Sequence, residues 1–421
     1  MLDIKFIREN KELIKLGAKK KHIHFDVDML LELDDKRKEL LHVVEQKRAT
    51  QGQVGQKIVS AAPEEKHQLL NEMTLLKDDL QKEEEQLKKI MKDWKEMMLQ
   101  VPNIPDMSVP EGKDDSENVE VRTWGDLPKF SFEPKNHIDL MNNLDLVDFE
   151  RGTKIAGFRG YILKNEGMRL QQAVLNYALD VMIKKGFTPM TVPSLVRKET
   201  LMGTGYLPQG EDDLYKTQDE EYLAGTGEVS TMSYFSDEIL DKKDLPIKFV
   251  AFSPCFRREA GSHGKQTKGL YRVHEFFKLE QIVICEASHT ESVMHHEALT
   301  ENAEEILQGL TIPYRVVVNC GGDLGLGQVK KYDIEAWIPS EERYGETHSS
   351  SYFHDFQTRR LNIRYTDEDK KRLAHSLNNT AIAVPRVLIQ IIENNQNEDG
   401  SITIPEVLRP YMGGLEKITK K

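Results

Sequence analysis

The chain has 421 residues, of which 38% are hydrophobic and 30% charged, enough to build two or three globular domains. Its net charge of −12 excludes a surface that attracts nucleic acid as a whole, so a polynucleotide would have to meet a local basic stripe. The sequence contains no stretch of roughly 20 apolar residues that could cross a bilayer.

The first residues lack the pattern of a signal or transit peptide. The three cysteines, Cys255, Cys285 and Cys320, form no CxxC pair, and an odd count does not favour a disulfide framework. Free thiols in a reducing compartment are the simpler interpretation. We therefore expect a cytoplasmic protein with no membrane partner.

Residues 29–100 contain two long helix-favouring runs, separated near Pro63, a residue suited to the first turn of a helix. Apolar residues recur in both runs at spacings of three and four. This spacing is interrupted by Arg37, Lys47, Gln51 and Glu83. The pattern predicts an antiparallel coiled-coil hairpin. Helices of roughly 35 residues would make it about 50 Å long.

The sequence leaves two functions open for this hairpin. Its spacing alone favours a dimerisation or spacer coiled coil. The alternative is an arm that grips a phosphate backbone, although residues 29–100 hold 13 basic and 15 acidic side chains. Binding would then depend on shape and on selected cations. The candidate cations are Lys36, Arg37, Lys47, Arg48 and Lys57.

Pro102 and Pro105 end the second run, and a polar linker follows at residues 111–116. Beyond it, the pattern predicts helices at residues 169–185, 290–307 and 387–395, and strands at residues 248–252, 281–285, 314–318 and 332–338. Because strands and helices do not alternate regularly, an α+β fold with an antiparallel sheet is predicted. The sequence has no Walker-type or GxGxxG loop, so a nucleotide would be held in another way.

The densest group of charged and aromatic side chains lies in residues 256–280. An extended segment over residues 256–260 would place Arg257 and Glu259 on one face. On the returning strand, one face would carry Arg272, His274, Phe276, Lys278 and Glu280. Such a surface suits a triphosphate, a purine ring and an ammonium group. A solvated hairpin with cross-strand salt bridges fits the same residues equally well.

The order of motifs along the chain resembles the seryl-tRNA synthetases, a family of ATP-dependent class II aminoacyl-tRNA synthetases. Arg-x-Glu-Ala-Gly-Ser at residues 257–262 and Gly-Leu-x-Arg-x-His-x-Phe at residues 269–276 are similar to the family's motif 2. Other similar stretches lie at residues 1–4, 186–193, 203–208, 223–228, 332–339, 346–360 and 377–386. The resemblance implies a tRNA-binding domain at residues 1–103 with a long coiled-coil arm. It also implies a class II catalytic domain at residues 104–421, with flanking helices on an antiparallel sheet.

By this resemblance, Arg257 and Arg386 are the catalytic residues. Arg257 would contact both the α-phosphate of ATP and the carboxylate of serine, and Arg386 would lie along the γ-phosphate. Glu259 would face the amino group of adenine. Phe276 would stack on the adenine ring, beside the backbone of Val273.

The remaining site residues implied by the resemblance serve serine and a metal ion. Thr226, Glu228, Glu280 and Thr380, together with Arg257, would bind serine. Glu346 and Ser349 match the positions that bind Mg²⁺ and ATP. The chain departs from the usual family residues at His348, Tyr352, Asn379 and Thr380. Pro193, in a weak match to motif 1, would lie at a dimer interface.

The function implied is activation of L-serine by ATP with Mg²⁺ to give seryl-adenylate, followed by transfer to serine tRNA. Selenocysteine tRNA is a second candidate acceptor, and a homodimer is expected. A non-catalytic RNA- or protein-binding relative is the first alternative. The joint presence of Arg257, Glu259, Glu280, Glu346 and Arg386 argues against it. An enzyme that charges a carrier protein is the second, and it predicts a short or missing arm.

Overall fold

The computed structural model describes residues 1–260 and 268–420. The chain divides into two compact units. One comprises Met1–Lys19 and Ile23–Pro102, and the other comprises Lys20–His22 and the described residues from Asn103 onward. In neither described stretch is there a helix long and apolar enough to span a membrane.

The N-terminal part of the chain is helical. Its helices are α1 (Ile4–Glu9), α2 (Lys11–Lys20), α3 (Val27–Ser60) and α4 (Pro63–Gln100). Asp26 caps α3 by accepting a hydrogen bond from the backbone nitrogen of Met29, and Pro63 is the first residue of α4. The long helices α3 and α4 pack against each other as a hairpin, which confirms the predicted coiled-coil arm.

Two of the polar residues that interrupt the apolar spacing of α3 and α4 contact each other, and a third packs on an aromatic ring. Lys47 Nζ lies 2.7 Å from Glu83 Oε1, and the guanidinium of Arg37 lies 4.6 Å from the ring centroid of Trp94. Apolar residues between these contacts, such as Val44, are buried. Because each long polar side chain buries its stem and keeps a partner, these interruptions do not break the helix pair.

The second unit is organised around one eight-stranded sheet. Its strands are β1 (Val119–Trp124), β2 (Thr188–Thr191), β3 (Ile247–Phe256), β4 (Glu275–Cys285), β5 (Tyr314–Val318), β6 (Lys330–Ile338), β7 (Arg343–His354) and β8 (His375–Ala383). Their order across the sheet is β1-β5-β6-β7-β8-β4-β3-β2. Neighbours are antiparallel except for the parallel edge pair β2–β3, so the predicted antiparallel α+β fold is confirmed.

Eight helices and several short strands surround this sheet in the described residues. The helices are α5 (His137–Asn143), α6 (Phe149–Ala156), α7 (Asn165–Lys184), α8 (Lys198–Thr204), α9 (Gly227–Met232), α10 (His289–Gly309), α11 (Phe356–Leu361) and α12 (Val384–Asn394). The short strands are Val147–Asp148, Ile162–Leu163, Leu195–Val196, Tyr215–Lys216, Tyr222–Leu223, Ile239–Asp241, Arg364–Asp367, Lys370–Leu373, Ile402–Thr403 and Lys417–Ile418. Helices α7, α10 and α12 contribute to the main apolar core against the sheet, and each predicted helix lies largely within one of them.

The expectation of an extended segment over residues 256–260 is wrong. Strand β3 ends at Phe256, and Glu259 has a φ of 55°, in the left-handed region. The backbone nitrogen of Arg258 donates to the carbonyl of Asp213, and that of Ala260 donates to its carboxylate, so the chain turns away from the sheet. The motif residues Gly261 and Ser262 lie outside the described residues.

The returning strand also begins later than the sequence indicated. Strand β4 starts at Glu275, so Arg272 and His274 precede it and do not share its regular alternation. Only Phe276, Lys278 and Glu280 of the predicted face belong to the strand itself.

Candidate active site

Two adjoining clefts open on one face of the sheet. The arginine cleft is lined by Arg257, Glu259, Val273, Phe276, Glu346, Ser349 and Arg386. The carboxylate pocket is lined by Thr226, Glu228, Arg257, Glu280 and Thr380. Several side chains line both, namely Arg257, Lys278, Glu346, Ser349 and Thr380. The structure therefore brings together all the site residues named from the sequence.

Strand alternation on β4 places its polar side chains in these clefts. Phe276, Lys278 and Glu280 lie two residues apart and line them. Glu280 is paired with Thr380 of β8 next to a register shift, which sets their side chains side by side. Gln281 points to the opposite face, where its amide nitrogen donates to the carbonyl of Leu299 in α10.

Arg257 lies where the two clefts meet. Its Nε donates to the carbonyl of Gly225 at 3.2 Å, and its guanidinium lies 5.6 Å from the ring centroid of Phe276. These contacts hold the side chain at the junction, where it lines both clefts. A planar guanidinium held in this way can bind two oxyanions, one from each cleft.

Glu259 is held by arginines on the wall of the arginine cleft. Arg272 Nη1 lies 2.9 Å and Arg159 Nη1 3.9 Å from its Oε2. Arg159 and Glu259 side chains are both largely buried. The left-handed backbone turn at Glu259 directs its carboxylate beside Phe276, so an acceptor and a stacking ring line one wall.

Arg386 and Glu346 form the other wall of the arginine cleft. Arg386, in the first turn of α12, lies 3.2 Å from Glu346 Oε2 and 4.6 Å from the ring centroid of Tyr271. Burial opposes ionisation of Glu346. The positive charges of Arg386, Lys331 and Arg257 outweigh it and lower the pKa of this carboxyl. Glu346 is therefore an anion at neutral pH.

Oxygen donors for a hard cation are present beside Arg386. Glu346 supplies an ionised carboxylate and Ser349 a hydroxyl, and Asp333 on β6 pairs with Ser349 across the sheet. Burial raises the pKa of Asp333 to about 6. No group of three or more His, Cys, Asp or Glu side chains among residues 1–260 and 268–420 could hold a metal by itself. The donor set fits Mg²⁺ only if phosphate oxygens complete its shell.

The carboxylate pocket contains a buried lysine, Lys278, which the sequence predicted on the charged face of the returning strand but without a role of its own. Lys278 Nζ lies 2.5 Å from Glu280 Oε2 and donates to Thr226 Oγ1 at 2.7 Å. Thr380 Oγ1 donates to the same oxygen of Glu280 at 3.3 Å. A buried ammonium next to a buried carboxylate offsets part of the cost of burying either charge. The signal for assigning Lys278 to this pocket was its position two residues before Glu280 on the same strand, which puts both side chains on one face.

Glu228 lies deeper in this pocket and is 3% exposed. Tyr206 OH donates to its Oε2 at 2.8 Å, and Gln357 Nε2 donates to its Oε1 at 2.7 Å. Burial, and next the charge of Glu280, raises the pKa of Glu228 to about 7. Sequence reasoning did not identify Tyr206 or Gln357 as site residues. The sequence indicated them only in that both lie within stretches that resemble the family, at residues 203–208 and 346–360.

Three of the four departures from the family pattern lie outside both clefts. His348 donates to the β8 backbone at 3.2 Å, and burial lowers its pKa to about 4. The hydroxyl of Tyr352 donates to Asp106 at 3.0 Å, and Asn379 lies against Gln281 on the α10 side of the sheet. Only Thr380 lines the clefts.

Clefts on one face of an antiparallel sheet that bring together two arginines and several carboxylates, in a chain with an N-terminal helical arm, are typical of a class II aminoacyl-tRNA synthetase. The family model of the class II core domain shared by the G, H, P, S and T synthetases matches residues 213–395. The seryl-tRNA synthetase N-terminal domain model matches residues 1–105. The chain is 45% identical over 418 residues to the serine–tRNA ligase of Deinococcus radiodurans, covering 99% of this chain and 98% of that protein. The chain therefore belongs to the seryl-tRNA synthetase family.

Two solved structures show the same architecture over the full chain. The seryl-tRNA synthetase of Pyrococcus horikoshii, complexed with ATP, superposes with a TM-score of 0.90 at 39% identity and with complete coverage of both chains. The cytoplasmic serine–tRNA ligase of Naegleria fowleri, in complex with AMP, gives a TM-score of 0.86 at 33% identity, covering 100% of this chain and 99% of that one.

Proposed function

We propose that this enzyme activates L-serine with ATP and transfers the seryl group to serine tRNA. The observation that carries the proposal is the position of Arg257, which lines both the arginine cleft and the carboxylate pocket. A guanidinium at that junction can bind the α-phosphate of ATP and the carboxylate of serine together. This brings the two reacting groups into contact.

The chemistry requires no nucleophile from the protein. A carboxylate oxygen of serine attacks the α-phosphorus, the new oxygen–phosphorus bond forms, and pyrophosphate leaves with the electrons of the broken bond. A hydroxyl at the 3′ end of the tRNA then attacks the acyl carbon, and AMP leaves. Arg257 and Arg386 stabilise the charge that gathers on the phosphates, and water is kept from the adenylate by the surrounding cleft.

The arginine cleft would hold ATP. Phe276 offers a ring for adenine to stack on, Glu259 accepts from its amino group, and the Val273 backbone lies alongside. Glu346 and Ser349 would hold Mg²⁺ together with phosphate oxygens. When bound, this ion neutralises part of the triphosphate charge.

The carboxylate pocket would hold serine. Glu228 and the hydroxyl of Thr226 are suited to its ammonium group, and Glu280 and Thr380 to its hydroxyl. The charges balance, because Lys278 and Arg257 offset Glu228 and Glu280, and Arg386 offsets Glu346. A zwitterion can therefore enter without leaving a net charge buried.

The N-terminal domain, residues 1–103, would bind the body of the tRNA. The α3–α4 hairpin presents exposed polar side chains along most of its length, including Lys36 and Lys57. Those cations that are not fixed in ion pairs are free to meet phosphates.

We also propose a homodimer in the cytoplasm. Strand β2 is one of the two edge strands of the main sheet, and apolar side chains such as Ile183 and Leu195 are exposed near it in the chain. Pro193 lies in the same stretch. A second copy covering this edge would protect unpaired strand groups and apolar surface together. Light scattering on the purified protein measures the mass directly, and a monomer at micromolar concentration would contradict this part of the proposal.

Amino-acid-dependent ATP–pyrophosphate exchange tests the main proposal. Across a panel of amino acids, serine should support exchange well above all others. Charging should then be measured with serine tRNA and with selenocysteine tRNA as a second acceptor. Exchange supported by an amino acid without a hydroxyl group would contradict the serine assignment.

A further inference from the structure

Three separate parts of the chain meet at Glu228. The glutamate lies in α9, Tyr206 follows α8, and Gln357 lies in α11. Each carboxylate oxygen accepts one hydrogen bond, Oε2 from the Tyr206 hydroxyl at 2.8 Å and Oε1 from the Gln357 amide at 2.7 Å. A carboxylate bound at both oxygens has a fixed orientation.

The Gln357 side chain is itself fixed so that its NH₂ group faces Glu228. The amide nitrogen donates to the carbonyl of Thr204 at 3.1 Å, and because a carbonyl oxygen can only accept, this contact identifies the NH₂ group. Ser376 Oγ donates to the amide oxygen, Gln357 Oε1, at 2.8 Å. Gln357 is 1% exposed, so its hydrogen bonds are made entirely within the protein.

Without these donors the carboxylate would be poorly suited to bind a cation. Burial and the neighbouring charge of Glu280 both raise the pKa of Glu228, and the hydrogen bonds from Gln357 and Tyr206 lower it. The charged or titratable groups that line this pocket with Glu228 are Tyr206, Arg257, Lys278, Glu280 and Glu346. Arg257, Lys278, Glu280 and Glu346 also serve the substrates, which leaves Tyr206 and Gln357 as dedicated partners of Glu228.

We propose that Tyr206 and Gln357 are positioning residues that hold Glu228 as an oriented, ionised acceptor for the ammonium group of serine. This inference rests on the proposed function, because it takes serine to bind in the carboxylate pocket. Neither residue needs to touch the substrate. Their effect should therefore fall on serine recognition and its pH dependence, and ATP binding should be spared.

Tyr206→Phe is the sharpest test, because it removes one hydroxyl and keeps the ring. Because a hydrogen bond to a charged group contributes strongly to its free energy, losing this one should raise the KM for serine in pyrophosphate exchange by about tenfold or more. The turnover number and the KM for ATP should stay within about threefold of the wild type. Gln357→Glu keeps the shape of the side chain but places a second carboxyl against Glu228, and it should raise the KM for serine further.

The pH profile gives a second readout that a purely structural role would not move. The donors lower the pKa of Glu228, so removing one raises it. The fall of kcat/KM for serine on the acid side should therefore shift to higher pH in Tyr206→Phe, by up to about one unit. Tyr314→Phe is the matched control. The Tyr314 hydroxyl donates a hydrogen bond of 3.0 Å to a buried carboxylate, Glu304, and neither residue lines the two clefts. It should leave the KM for serine and the acid limb unchanged.

Two outcomes would overturn the inference. One is a Tyr206→Phe enzyme with the wild-type KM for serine and the wild-type acid limb. The other is an equal rise in the KM values for serine and ATP, which indicates general damage to the fold. Glu228→Gln distinguishes failure of the positioning role from failure of the proposed function. If that variant keeps the wild-type KM for serine, Glu228 does not bind the ammonium group. If it loses serine binding while Tyr206→Phe does not, only the positioning role is wrong.

Discussion

The α3–α4 pair and the eight-stranded sheet use charged side chains in different ways. In the helix pair, Arg48 and Glu84 form an ion pair at 2.6 Å with side chains 63% and 38% exposed. In the sheet, Lys278 and Glu280 form one at 2.5 Å with side chains 5% and 4% exposed. Exposed pairs contribute little because water and salt screen them. Buried pairs carry a large desolvation penalty, so a cluster of them in a cleft indicates a function.

One group in the helical unit breaks this contrast. The carboxylate of Asp34 has no exposed surface and contacts Arg8, Arg37 and Lys38, each within 2.8 Å. Unlike the sheet carboxylates, it lines neither the arginine cleft nor the carboxylate pocket. Its partners come from α1 and from its own helix, so its role is to join elements of the helical unit.

Arg257→Ala should reduce pyrophosphate exchange by about 100-fold or more, because it removes a charged contact to the developing transition state, worth about 3 kcal/mol. The fold and the oligomeric state should be unchanged. Arg258→Ala is the matched control. Its guanidinium donates to the Asp212 carbonyl at the surface, and the variant should stay near wild type. Near-normal exchange in Arg257→Ala would remove this residue from the catalytic site.

Shortening the arm should separate the two reactions. Replacing residues 49–82 with a short Gly/Ser turn joins the helices just beyond the contact between Lys47 and Glu83 and keeps the Asp34 cluster. Exchange should remain at the wild-type rate. The kcat/KM for tRNA charging should fall by about 10- to 100-fold, because the tRNA would keep its contact with the active site and lose its contact with the arm. Charging at the full-length rate would show that the arm is only a spacer.

Asp34→Asn should lower the free energy of unfolding of the helical unit by about 2 kcal/mol at neutral pH. Burial opposes ionisation, but hydrogen bonds from Lys38, Arg37 and Arg8 lower the pKa of Asp34 to about 2. The pKa of Asp34 is lower in the folded chain than in the unfolded chain. The stabilisation that its carboxylate gives is therefore fully present at pH values above the unfolded pKa, and it is lost as the pH falls toward 2. Urea unfolding followed by circular dichroism at pH 7, 4 and 3 measures this. The difference between the variant and the wild type should narrow as the pH falls, with about half of it left at pH 3.

Thr380→Ser should relax the rejection of threonine without harming serine activation. The hydroxyl that donates to Glu280 is kept, and one methyl group beside the pocket is removed. A single methyl group typically changes discrimination by about 1–3 kcal/mol, so the exchange efficiency for threonine relative to serine should rise by about tenfold. The ratio should be measured in both proteins. A wild-type preference for threonine would overturn the substrate assignment while leaving the family unchanged.

Arg48→Ala should have the smallest effect on stability. Its exposed pair with Glu84 should contribute below about 1 kcal/mol, and unfolding at 1 M salt should reduce the difference further. If this variant were as unstable as Asp34→Asn, exposure would not be what distinguishes the two ion-pair sites.

The sequence by itself determined the features that depend on short-range patterns. The spacing of apolar residues and Pro63 predicted α3 and α4, because helix periodicity and a proline at the first turn are local properties. Strand β5 was predicted with its observed bounds, Tyr314–Val318. The motif matches identified the residues that line one cleft or the other, because the residues of each motif lie within a short stretch of sequence.

Only the tertiary structure decided which distant residues meet. Gln357 is 129 residues from Glu228, and the pairing of Lys47 with Glu83 spans 36. Neither distance leaves a periodic signal, because contact depends on strand register and helix packing. The left-handed turn at Glu259 was missed for the same reason. It is set by hydrogen bonds from the backbone of Arg258 and Ala260 to Asp213, a residue brought alongside only when the chain has folded.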